Sequence, residues 1–82
     1  MPSYELKEED FRDGVIDILS VLTASGLAGS RSEARRNVEQ GGVSVDSIQE
    51  KDVKKTYSKE DFLGEGKVVK RGKKNFVRVF VQ

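Results

Sequence analysis

The order of patterns along this chain predicts a small α+β domain, on three observations. Apolar residues recur at helical spacing in the first half, at Val15, Ile18, Leu19 and Leu22, then at Ala34 and Val38. Polar and apolar residues alternate later, in Val43-Ser44-Val45-Asp46 and from Asn75 to Val81. Glycines at 26, 41, 42, 64, 66 and 72 mark the breaks. Helices followed by strands, rather than alternating with them, make the α+β class. The 82 residues allow one domain. A chain this small buries only about 60% of its unfolded surface, so modest stability is expected.

The first helix is expected over residues 13–25, with Asp13 as its N-cap, Gly26 just past its end and Leu27 folding back onto it. The second is expected over 31–40. Ser30 and Glu33 have capping-box spacing, so each should satisfy a free backbone donor. Its apolar stripe is only Ala34 and Val38, so it should pack by close approach at Ala34. Gly41 ends it, Gly42 allows the turn and a strand follows at 43–46. Residues 47–57 are polar, with Ile48, Val53 and Tyr57 as expected anchors. Residues 58–63 read as one helical turn capped by Ser58, with Phe62 and Leu63 facing inward. Residues 67–71 and 75–81 form a hairpin around Gly72-Lys73-Lys74. Val77, Val79 and Val81 share one face of the last strand, Phe76, Arg78 and Phe80 the other; alternation does not say which is core. Residues 1–12 read as a linker or an N-terminal extension on which Tyr4, Leu6 and Phe11 can dock, and residues 13–82 as the folded domain. Met1 ahead of Pro2 reads as the cut-down start of a longer chain.

Composition narrows the chemistry. With neither cysteine nor histidine, the chain lacks disulfides, the usual zinc ligands, the usual general base at neutral pH and any Ser-His or Cys-His nucleophile pair. No phosphate-binding loop or dinucleotide fingerprint is written in it. Neither a cofactor nor a metal is expected. No apolar run approaches the roughly 20 residues of a membrane helix, so a cytoplasmic protein without a membrane partner is expected. Net charge is +1, but it is unevenly spread. Residues 1–29 hold two basic and six acidic side chains, net −4; residues 30–82 hold thirteen basic and eight acidic, net +5. Such a split favours a polyanion on one face.

Two clusters carry that charge. On the second helix, about 100° per residue puts Arg31 and Arg35 beside the Ala34–Val38 stripe, with Arg36 further round. Ser30, Arg31 and Ser32 occupy its first turn, where free N–H groups and the positive end of the dipole attract phosphate. An arginine there does not stabilise the helix, so another reason for it is expected; pairing with a nearby acid is the competing explanation. On the hairpin tip Arg71, Lys73 and Lys74 crowd one turn, with Asn75 beside them and Lys70 just before. Nothing acidic in the local sequence relieves them, although lysines also protect edge strands. The six aromatics are few and dispersed, so a core role and recognition of folded RNA by shape and phosphate, with little base reading, are expected.

Residues 30–45, Ser-Arg-Ser-Glu-Ala-Arg-Arg through Gln-Gly-Gly-Val, closely resemble the S-four-type RNA-binding domain, or αL motif. With Asp17-Ile18-Leu19, Ser25-Gly26-Leu27-Ala28 and the ending Gly72-Lys73-Lys74-Asn75-Phe76, residues 13–82 are similar to the C-terminal domain family of bacterial tyrosyl-tRNA synthetases. The resemblance implies two helices packed on a small, curved, mixed or antiparallel sheet. It implies a tRNA partner, gripped at the anticodon stem and variable arm and oriented for aminoacylation elsewhere in the parent. It implies phosphate contacts from Ser30, Arg31, Ser32, Arg35, Arg36, Lys70, Arg71, Lys73, Lys74 and Asn75. The domain itself is expected to be monomeric and non-catalytic, within a homodimeric tyrosine-tRNA ligase. One departure is visible: where the superfamily often has Val-Asn-Gly at a tight turn, this chain has Val45-Asp46-Ser47. Two other readings remain: an S-four-type module of a stand-alone or RNA-modifying protein acting on ribosomal RNA, and a protein-interaction module using the acidic first segment.

Overall fold

A computed structural model describes residues 2–81 of the chain; Met1, on which the expected cut-down start falls, and Gln82 lie outside them. Strands β1 (Ser3–Glu5), β2 (Val15–Asp17), β3 (Val43–Val45), β4 (Ile48–Gln49), β5 (Thr56–Ser58), β6 (Lys67–Arg71) and β7 (Asn75–Phe80) join helices α1 (Ile18–Ala24) and α2 (Arg31–Glu39). Five strands form one sheet in the order β1-β7-β6-β3-β4, and β2 and β5 form a separate antiparallel pair. Only β1 runs parallel to its neighbour in the main sheet, so the α+β architecture with a mixed sheet is as expected.

The core lies between the helix pair and one face of the sheet. Ile18, Val21 and Leu22 of α1 and Ala34 and Val38 of α2 meet Val43, Val45, Val69, Val77 and Val79, all buried. Valines therefore line the inner face of β7, which turns Phe76, Arg78 and Phe80 outward. Ala34 is 0% exposed, which lets the two helices approach closely. Residues 3–12 are joined to the domain: β1 pairs with β7 from Ser3↔Arg78 to Glu5↔Phe80, and Leu6 is buried with its N–H 2.7 Å from the Phe80 carbonyl. Tyr4 and Phe11 pack against the core.

Four expectations need correction. The first helix begins at Ile18, not at residue 13. Asp13 and Gly14 have φ of 53° and 80°, a two-residue turn that returns Val15 to Arg12. Asp-Gly favours that turn and β-branched Val15 and Ile16 favour a strand, so β2 forms and Ile16 pairs with Tyr57. Asp17 takes the N-cap position. Second, Asp46 and Ser47 (φ 51° and 70°) make a tight turn into β4, which leaves Ile48 exposed rather than anchored. The Asp46 carboxylate accepts the Val68 N–H at 2.9 Å and the Lys67 ammonium at 3.3 Å, holding the strained turn against β6. Third, Leu63 points outward: Phe62 fills the core and its carbonyl receives the Val81 N–H, so the next side chain faces solvent. Fourth, the α2 capping box is shifted. Ser30 Oγ accepts the Glu33 N–H at 3.1 Å, but the Glu33 carboxylate reaches the N–H of Gly29, not that of Ser30.

Candidate nucleic-acid interface

The end of α2 and the tip of the β6–β7 hairpin meet. Gly41, at φ 76°, closes the helix, its N–H on the Val38 carbonyl and that of Gly42 on the Asn37 carbonyl. The chain then enters β3, whose Val43 pairs with Arg71. The Gly72 N–H donates to the Gly42 carbonyl at 2.8 Å, which pins the hairpin turn to the helix end. Beside this junction lies a depression of about 390 Å³ lined by Gly41, Gly42, Ser44, Ser47, Gln49, Lys70 and Lys73 among others. Its lining holds two lysines and no carboxylate. The negative end of a helix dipole amounts to roughly half a charge, so two ammonium groups leave the depression positive.

Gln49 shapes one wall. Its amide donates to the Gly41 carbonyl at 2.7 Å, and a Cβ on Gly41 would lie 2.6 Å from that nitrogen. Gly41 is therefore required by its backbone angle, and a side chain there would also push the Gln49 amide off the Gly41 carbonyl. Asn37 and Arg71, on either side of the junction, each bury a donor nitrogen without an acceptor among the described residues. The sequence signals for the non-basic part of this site, Ser44, Ser47 and Gln49, are weak. Of this stretch the sequence marks only the helix end at Gly41 and the turn at Gly42.

The first turn of α2 is elsewhere. Nine helical residues span about 13 Å, which separates Arg31 from Gly41. Arg31 donates to the Asp17 carboxylate and to Ser20 Oγ, each at 2.8 Å. The Ser20 hydroxyl in turn donates to the second Asp17 oxygen. Burial alone would raise the Asp17 pKa; the hydrogen bonds from Ser20 and Arg31 and the arginine charge outweigh it and hold the carboxyl below its ordinary 3.8. This trio borders a second cavity of about 440 Å³, shared with Asp10 and Arg12. Arg35 approaches Glu39 only loosely, at 3.8 Å. Ser32 and Arg36 are exposed on α2, and Lys74 and Asn75 are exposed on the hairpin. The structure thus gathers Lys70, Lys73 and the Arg71 backbone at the α2 terminus. It sets Ser30, Arg31 and Ser32 one helix length away, with Arg35 and Arg36 between. One reason for an arginine in the first turn is internal, the acid at the N-cap of α1.

Among the described residues no group of three or more acidic side chains could hold a metal ion. No helix in them is long and apolar enough to cross a membrane.

Residues 1–79 match the family described as the tyrosine--tRNA ligase SYY-like C-terminal domain. A tyrosine--tRNA ligase of Lachnoclostridium phytofermentans is 40% identical over 77 residues, 93% of this chain and 18% of that protein. One from Clostridium botulinum strain Alaska E43 is 32% identical over all 82 residues, 20% of its own length. One from Clostridium perfringens strain SM101 is 33% identical over 79 residues, 96% of this chain and 19% of its own. The chain thus spans about a fifth of the length of these curated relatives. A glycine-pinned helix end beside a lysine-bearing hairpin, within a match along nearly the whole chain, leads to one assignment: the chain belongs to the C-terminal domain family of tyrosine-tRNA ligases.

Proposed function

We propose that this domain binds the backbone of tyrosine tRNA at the anticodon stem and variable arm and orients it for aminoacylation by the rest of a cytoplasmic, homodimeric parent ligase. The chemistry belongs to parts of the parent outside this chain. The observation that carries the reading is the Gly42–Gly72 hydrogen bond, which joins the α2 terminus to the hairpin and puts Lys70 and Lys73 around one acid-free depression. Lys74 and Asn75 extend that surface at the turn; Arg36, Arg35 and Ser32 extend it along α2 toward Ser30 and Arg31. Arg71 supports it from the strand. Binding of this kind is driven by phosphates and counterion release, so it weakens steeply with salt. Arg31 contributes once a phosphate competes with Asp17 for its guanidinium.

The test is a filter-binding titration with tyrosine tRNA, intact and lacking the variable arm. Tighter binding of the intact tRNA is expected. The double variant Lys70→Glu, Lys73→Glu should weaken binding and lower the salt slope by about one per lysine lost. Equal binding of both tRNAs removes the variable arm from the proposal, and an unchanged slope removes the lysines.

A further inference from the structure

On the side of the main sheet away from the helices, Phe76, Arg78 and Phe80 project together from β7. Register places Lys70 beside Phe76 and Val68 beside Arg78, and Ser44 beside Lys70. The Arg78 guanidinium lies 5.5 Å from the Phe80 ring centre and covers it. Phe76 is 36% exposed, and among the described residues no aromatic or cationic group covers its ring. The expectation that all the aromatics are core therefore fails here, because β7 turns its valines inward and its phenylalanines out. The acid on this face is Glu5, paired with Phe80 at the far edge. Lys70 belongs both to this face and to the depression at the helix end.

A protein interface core is depleted in lysine, whereas here cations alternate with rings. A ring flanked by cations, with Glu5 set away from Phe76 at the far edge, suits a nucleotide, whose base stacks while its phosphates are neutralised. We propose that the outer sheet face holds one unpaired base of the bound RNA, stacked on Phe76, with its neighbouring phosphates on Lys70 and Arg78. This rests on the RNA-binding reading and adds to it a base contact that backbone recognition does not require.

The chain has no tryptophan, so Phe76→Trp installs a single reporter. The probes are a short oligouridylate and an abasic ribose-phosphate oligomer of equal length, at low salt. Oligouridylate is expected to quench the tryptophan and the abasic oligomer to leave it unchanged. Phe76→Ala should weaken oligouridylate binding about tenfold while leaving the abasic oligomer unaffected. Circular dichroism checks both variants; if Phe76→Ala unfolds, the quenching result decides. Unchanged fluorescence at saturating oligouridylate, or equal losses for both oligomers, overturns the proposal. That result, with tRNA binding still sensitive to Lys73→Glu, keeps the RNA-binding reading and gives the face to a protein contact. A native chain that binds neither tRNA nor oligomer overturns both.

Discussion

Replacing Asp17 by asparagine removes the anion that holds Arg31 and weakens two of the three hydrogen bonds in the trio, those that Ser20 and Arg31 donate to the carboxylate. The pair is partly solvated, so the expected cost is about 1 kcal/mol, read as a lower melting temperature. Because the folded pKa is depressed, this stabilisation is present above the ordinary value of 3.8 and is lost as pH falls through the lower folded value. Melting temperature against pH should therefore show a flatter acid limb in the variant. The same substitution frees Arg31, and tighter tRNA binding is expected in parallel filter assays. Tyr57 acts at the other end of the scale. Burial, then the charges of Glu50, Asp61 and Asp46, push its hydroxyl up to about 12. Stability from this residue is complete below the ordinary 10.0 and is lost as pH rises toward about 12, which alkaline melts and phenolate absorbance can follow. The place of Arg31 on the helix was readable from spacing. Its partner was not, because a contact between residues 14 apart depends on how α1 and α2 cross.

At the scale of elements, α2 was legible because its signals are local: Ser30 caps it and Gly41-Gly42 close it. Ser30→Ala should cost about 1 kcal/mol in thermal or denaturant unfolding. The start of α1 was misread because Val15 fits a helical stripe by coincidence and Asp13 also fits a helix N-cap, while the pairing of β2 with β5 depends on a strand about 40 residues later. β4 was missed because two residues carry no periodicity, and its turn lacks the usual glycine. Gly66 was legible as a break but not as a contact. It has φ 72°, and a Cβ there would lie 2.0 Å from the Val79 carbonyl oxygen. Gly66→Ala should therefore displace β6 from β7 and cost about 2 kcal/mol or more, seen as a fall in the denaturant midpoint.

Across the whole molecule, the site was legible as two basic clusters, but their placement was not. The hairpin meets the closing end of α2, whereas Arg31 lies at the opposite end of that helix and pairs with Asp17. The facing of the last strand was not legible, since either face of an alternating strand can be core until its neighbours are known. Nor was the role of residues 3–5, which pair with the last strand. Leu6 is 2% exposed, and Leu6→Ala should cost about 2–5 kcal/mol, enough to unfold much of so small a domain by circular dichroism. The parallel alignment of β1 and β7 has a mechanical consequence. Opposed tension on the two termini slides these strands along one another, so their hydrogen bonds bear the load together instead of peeling apart singly. Stretched end to end, this fold should resist as a clasp; pulled through the Gly72 turn, it should open as a zip.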